Sequence, residues 1–196
     1  MIIDKATSPE RFRLCYDLLR KHCLNEINVF LLNPEIEAEG DFQLFRGDMK
    51  ELLQKEEVTE NFVYMRQEYF ILKPFDFDFL LPVYTQTVAE NAGELKAHGV
   101  ERFCYSFKSG APQVMNRKTY LETMFQTEDI ESAYFNLNPP QSLKNAHYTV
   151  IRLDKELCCS NKAKIGMTNF ATCSNDRAFD SLKDWIDKNL LTIEAK

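Results

Sequence analysis

Cys104 and His147 are a thiol and an imidazole on two stretches of strand-like composition, Glu101 to Phe107 and Ala146 to Leu153. If those strands are neighbours, the pair has the residue types of a nucleophile and its base, with Asp154 or Asn145 to orient the ring. The plainer expectation is that Cys104, flanked by Phe103 and Tyr105, is a small buried hydrophobe, because reactive thiols favour helix N-termini where the dipole lowers their pKa. Cys158, Cys159 and Cys173 form no Cys-x-x-Cys spacing and have no nearby His, so no zinc site is expected. Asp76 and Asp78 alternate onto one side of an extended segment and suit a cation or a cap of the long helix expected after them; capping is the commoner role. His147-Tyr148-Thr149 has the pattern of one half of a two-histidine acid-base site. That chemistry needs the pattern twice, one His as base and one as acid, and neither His22-Cys23-Leu24 nor His98-Gly99-Val100 supplies the second copy.

The elements that must position such residues are punctuated clearly. Met1 to Ala6 predicts a short strand, Ser8 an N-cap, and Pro9 the first residue of a helix to Cys23 with Phe12, Cys15, Leu18, Leu19 and His22 at helical spacing. Ile27 to Leu32 and Phe42 to Phe45 predict short strands, and Asp48-Met49-Lys50-Glu51 a capping box opening a helix that ends near Glu57. Asn61 to Lys73 is rich in aromatic and β-branched residues. Leu81, Tyr84, Val88, Ala92 and Leu95 form a stripe that predicts a helix from Pro82 to His98, with Gly99 as its left-handed cap. Glu101 to Phe107 alternates as a half-covered strand, and Asn116 to Phe125 is helical again. Strand, helix and strand in that order predict a parallel β-α-β crossover. Ser132 to Leu137 and Ala146 to Leu153 predict a hairpin around Asn138-Pro139-Pro140, and Phe179, Leu182, Trp185, Ile186 and Leu190 share one face of a last helix, Asp176 to Leu191.

The expected fold class is therefore α/β (α+β): a single mixed sheet with flanking helices, closed by the hairpin and helix. The 196 residues carry no Gly/Ser/Pro-rich linker, so one domain over 1–196 is expected, with a core at 1–153 and an extension at 154–196. A content of 44% hydrophobic residues, 15 of them Phe, is enough for a substantial core and argues against disorder. A net charge of -6 without any long Lys/Arg run disfavours nucleic acid as a partner. Six cysteines in a chain this long fall short of a disulfide scaffold, and with no secretory signal at Met1-Ile2-Ile3-Asp4-Lys5 and no apolar run of roughly 20 residues, a cytoplasmic, soluble protein away from membranes is expected.

The series of elements resembles the GCN5-related N-acetyltransferase family. Met1-Ile2-Ile3-Asp4-Lys5-Ala6-Thr7-Ser8-Pro9-Glu10 is similar to that family's first strand and helix start, and Gly99-Val100-Glu101-Arg102-Phe103 to the junction before its fifth strand. Asn116 with Tyr120-Leu121-Glu122-Thr123-Met124-Phe125 resembles its fourth helix. The resemblance implies transfer of an acyl group from acetyl-CoA or another acyl-CoA to an amine on a small molecule or a protein. It implies Tyr120 as the acid that protonates the departing thiolate, Glu68 or His147 as the base, and a cofactor slot at Leu72, Lys73, Phe103 and Asn116, with no metal. Lys73-Pro74-Phe75-Asp76-Phe77-Asp78 stands where the family's Gly-rich pyrophosphate loop would be; it holds no Gly and two carboxylates that repel an anion. A non-catalytic protein of the same topology is thus a second expectation, with Phe70 to Phe79 as a partner-binding surface.

Leu44-Phe45-Arg46-Gly47 resembles the aromatic-Arg-Gly strand of ADP-ribosyltransferases, in which the Arg holds a dinucleotide phosphate and the Gly lets the backbone come close. Tyr105-Ser106-Phe107 is the one candidate for the Ser-bearing strand such NAD-using enzymes need, and Glu156 lacks the usual paired Glu or Gln. An ordinary surface arginine is the commoner role for Arg46.

Overall fold

The computed structural model describes residues 1–82, 85–107, 110–140 and 149–191. Three short apolar strands, β1 (Ile2–Asp4), β2 (Phe30–Leu32) and β3 (Gln43–Phe45), run parallel, and β4 (Asn61–Arg66) pairs parallel to the other side of β1. With β8 (Gln113–Asn116) antiparallel to β4, the sheet has the order β3-β2-β1-β4-β8. It is a mixed α/β sheet, mostly parallel and flanked by helices. The chain steps outward from β1 to β3 and then returns to the far side of β1, so the direction of winding switches between β1 and β4.

Alternation along these strands separates two cores. Ile3, Leu31, Val63 and Met65 face one layer, where α1 (Pro9–His22) packs with Phe12, Cys15, Leu18 and Leu19. Ile2, Phe30, Leu32, Phe62, Tyr64 and Met115 face the other, against Leu52 and Leu53 of α2 (Met49–Leu53), Tyr120 of α4 (Arg117–Thr123) and Phe135 of α5 (Ile130–Leu137). Burial on both faces is what parallel strands require, and it explains why β1 and β2 read as unbroken apolar runs. The caps form as the sequence predicts: the Ser8 hydroxyl accepts from the Arg11 N–H at 3.4 Å, and Asp48 and Glu51 close the capping box of α2.

A second sheet, β5-β10-β9, joins β5 (Phe70–Ile71) antiparallel to β10 (Phe170–Cys173), which lies parallel to β9 (Val150–Leu153) with α6 (Cys159–Ile165) as crossover. α7 (Asp176–Ile186) follows. Phe170, Ala171, Phe179, Leu182 and Ile186 lie in the same buried cluster as Ile3 and Leu31. Arg11 of α1 holds Asp176 at 2.9 Å and stacks over the Phe179 ring.

The middle of the chain departs from expectation. The segment predicted as one helix, Pro82 to His98, contains β6 (Thr85–Val88) and the short α3 (Ala92–Ala97) instead. Gly99 does take the expected left-handed conformation after α3, at φ 87°. Only Tyr105–Ser106 of the next predicted strand is strand, β7, and it pairs antiparallel with β6 in a separate ribbon. The expected parallel crossover from 61–73 to 101–107 is absent. The hairpin expected from Ser132 to Leu153 is absent too, because the first arm is helix α5, started by Asp129 accepting from the Ser132 N–H at 3.2 Å. The Phe-rich segment expected as a docking surface is core: Phe70, Ile71, Leu72 and Phe75 are buried, and Phe77 and Phe79 pack against the same cluster. Asp76 caps a single 3-10 turn, Phe77–Phe79, by accepting from the Phe79 N–H at 2.9 Å.

No helix among the described residues is long and apolar enough to cross a membrane.

Candidate functional site

The parallel strands end on one edge, and their last residues open onto a cleft of about 730 Å³. Asp4 and Lys5 reach it from β1, Leu32 and Asn33 from β2, and Gly47, Asp48, Met49 and Lys50 from the turn between β3 and α2; Phe125 to Glu128 and Ile130 form the opposite wall. Ligands of open α/β sheets bind outside such carboxyl ends, beside the switch in winding.

The rim is built by unusual backbone. Lys5 and Asn33, each the residue just past its strand, are left-handed at φ 51° and 47°. Asn tolerates that conformation, whereas Lys costs free energy in it. Each is held by the neighbouring strand: the Lys5 N–H donates to Leu32 O at 3.1 Å and the Asn33 N–H to Phe45 O at 2.8 Å. The Asn33 amide in turn donates to Gly47 O at 2.8 Å and accepts from the Gly47 N–H at 2.9 Å. Gly47 has φ 154°, and a Cβ there would lie 2.6 Å from the Glu51 carboxylate that caps α2, so the turn requires glycine.

Below the rim lies a chain of buried polar groups. Asp4 is 6% exposed and accepts from the Tyr64 hydroxyl at 2.8 Å. Burial raises its carboxyl pKa, against the opposing pull of that hydrogen bond and of Lys5 and Arg66. Arg66, in register with Asp4 across the strand pair, extends its guanidinium to within 3.3 Å of the Glu131 carboxylate and donates through Nη2 to Glu128 O at 3.3 Å. Glu131 is fully buried and accepts from the Tyr69 hydroxyl at 2.8 and 2.9 Å on its two oxygens. Burial dominates there as well: the Glu131 carboxyl is pushed up from 4.5 to about 7 although Arg66 and the Tyr69 hydroxyl pull it down. A buried carboxyl of raised pKa that lines a cleft, Asp4, with a second at Glu131 behind Arg66, marks a candidate functional site.

The residues singled out in the sequence fall in different places. Tyr120 lines the cleft, buried between Phe62 and Tyr134, and burial raises its phenol pKa. Glu68 is half-buried in the turn between β4 and β5. Leu72 is core, Lys73 half-buried beside it, and Phe103 is 49% exposed next to the β6–β7 ribbon. Asn116 caps α4, its carbonyl accepting from the Thr119 N–H at 2.9 Å and its amide donating to Glu60 at 3.0 Å. His147 lies outside the described residues. Arg46 is exposed beyond β3, and Ser106 belongs to the separate ribbon. Cys104 is buried, as a small hydrophobe would be. Asp4, Tyr64, Arg66 and Glu131 were not foreseen. Their signal was faint: Asp4 is the first charge after Ile2-Ile3, and Glu131 is the lone charge in Ile130-Glu131-Ser132-Ala133-Tyr134-Phe135.

Neither family models nor curated proteins give a match. Among solved structures, an active-site mutant of LgtC aligns over 89% of this chain and 87% of that one, at 10% identity and a TM-score of 0.48. That likeness is too loose to transfer any chemistry.

The acetyltransferase resemblance does not hold. Its cofactor slot needs two parallel strands splayed apart, one near Leu72 and one near Phe103. Here β4 is paired on both sides, parallel to β1 and antiparallel to β8, and the Phe103 segment belongs to another sheet. Acyl transfer from acyl-CoA, the thiolate-acid role of Tyr120 and the non-catalytic variant of that topology fall together. The NAD-dependent alternative around Arg46 falls for a parallel reason, since the β3 strand end and the Tyr105–Ser106 strand share no sheet.

Proposed function

We propose that this chain binds a hydroxyl-rich, phosphate-bearing small molecule of nucleotide type in the cleft at the carboxyl edge of β1, β2 and β3. The observation that carries this reading is Asp4: a carboxylate at a parallel strand end, 6% exposed, fixed by the Tyr64 hydroxyl and lining an open cleft. A buried acceptor of this kind selects ligands that bring hydroxyl or N–H donors, because an unpaired buried carboxylate costs more than a paired one. Lys5 and Lys50 are the cations that an anionic part of the ligand would meet on the same walls, beside the carboxylates of Asp48, Glu94 and Glu128. Asp4, made more basic by burial, is also the group suited to take up a proton from a bound hydroxyl.

A melting series with the common nucleosides and nucleoside diphosphates tests the proposal. A ligand of the folded state at 100 times its dissociation constant should add about 2.7 kcal/mol, and Asp4→Asn should reduce that gain while the protein still folds. A flat melting temperature across the whole series would remove the reading.

A further inference from the structure

We infer that Phe125 is the platform on which the base of the ligand stacks, with His98 backing it; the inference rests on the nucleotide reading above. Of the apolar side chains that line the cleft, Leu32, Met49, Tyr120 and Ile130 are buried, while Phe125 is left half-buried. One face of its ring is taken: the His98 imidazole lies against it, centroids 4.1 Å apart and planes 7° from parallel. His98 is itself exposed and does not line the cleft, so what Phe125 presents to the open space is its other face and its rim. The walls also carry Asp4, Asp48, Glu94 and Glu128 against Lys5 and Lys50. That excess of carboxylates favours an uncharged ring over a phosphate as the group seated against this wall.

The ring is fixed before any ligand arrives. Phe125 follows the end of α4, where the Met124 N–H donates to Tyr120 O at 3.0 Å. The two ends of α3 then clamp the wall. His98, after its last turn, stacks on Phe125, and Asn91, before its first, donates to Thr127 Oγ1 at 3.1 Å and to Asp129 O at 3.3 Å. Arg66 at the end of β4 holds the same segment through Glu128 O, at 3.3 Å. A ring held in place loses little freedom on binding, and every base offers it a π-face. Asp4, in the same cleft, is the acceptor for hydroxyls, so the two residues together suit a planar ring joined to a sugar, which is a nucleoside.

The test is titration calorimetry on the full chain with adenosine, cytidine, guanosine and uridine. At least one should bind, and Phe125→Leu should weaken it about tenfold to a hundredfold, while Phe125→Tyr, which keeps the ring, should stay within about threefold. His98→Ala should weaken it about twofold to tenfold and His98→Tyr restore it, because the platform needs a backing ring and not an imidazole as such. Unchanged affinity in Phe125→Leu overturns the inference, and unchanged affinity in His98→Ala overturns the part given to His98. Should Phe125→Leu not fold, Phe125→Trp carries the test: nucleoside binding should quench the fluorescence of the introduced indole, and ribose at the same concentration should not. Binding without quenching overturns the stack. If wild type binds none of the four nucleosides, the nucleotide reading itself has failed, a result distinct from binding that survives the loss of the ring.

Discussion

Two parallel strand pairs end in clefts of nearly equal size, yet only one has a chemically prepared floor. The edge of β1 to β3 opens on about 730 Å³ lined by Asp4, which is bonded to Tyr64 and in register with Arg66, the partner of Glu131. The edge of β9 and β10 opens on about 740 Å³ bordered by Asp154, Lys155, Glu156 and Arg177, all exposed. Charges in water are interchangeable and weakly coupled, whereas charges taken out of water hold their positions and carry shifted proton affinities. Space at a strand edge is therefore common, and what distinguishes a site is the polar group buried under it.

The sharpest way to break this contrast is to remove a buried partner on one side and an exposed charge on the other. Glu131→Ala strands Arg66 and the Tyr69 hydroxyl, and urea unfolding should show a loss of about 3–5 kcal/mol. Asp4→Ala leaves the Tyr64 hydroxyl without its acceptor and should cost about 1–3 kcal/mol by the same measurement, together with any stabilisation by nucleotides.

The pH dependence distinguishes the two floors further. Because the Glu131 pKa is raised from 4.5 to about 7, the folded state holds a proton in that window that the unfolded state releases. Its contribution to stability is complete below about 4.5, declines as pH rises toward 7 and is flat beyond. Asp4, also raised, acts with the same sign. Glu131→Gln should flatten the slope of unfolding free energy between these values; an unaltered slope assigns it to other groups.

Smaller effects are expected at the second cleft. Asn175 caps α7 by accepting from the Ala178 N–H at 3.0 Å and donating to Asp154 O at 2.7 Å, so Asn175→Ala should cost about 1 kcal/mol. Asp154→Ala and Arg177→Ala should each stay within about 0.5 kcal/mol and leave nucleotide affinity unchanged. A large loss of affinity in either would move the site to that edge.

What the sequence disclosed follows the range of the forces involved. Caps are local, and Ser8 and Asp48 were legible from neighbours within three residues, whereas Asp76 caps a 3-10 turn and not the long helix expected after it. The first strands were legible because burial on both faces leaves Ile2-Ile3 and Phe30-Leu31-Leu32 without polar interruption. The stripe from Leu81 to Leu95 misled, since β-branched Thr85, Thr87 and Val88 favour extended backbone and the helical spacing across them was coincidental. Ser132 to Leu137 misled for the opposite reason: a helix buried nearly all round shows no amphipathic period. Phe170 to Cys173 escaped notice as four residues, all buried, without alternation. The site was least legible, because the neighbours of Asp4 and Arg66 that give them meaning are 60 or more residues away in the chain.

The shared cluster of α1 with β10 and α7 has a consequence for the newly made chain. The cluster that residues 9–22 share with β1, β2, β4 and β5 is completed only when residues 170–186 leave the ribosome, a separation of 165 positions at the Arg11–Asp176 contact. At about 5–20 residues per second that interval is on the order of ten seconds or more. During it Phe70, Ile71 and Phe75, which pair with or pack on Phe170 and Phe179, stay open to chaperones, so interrupted translation should yield sticky fragments rather than a smaller native protein.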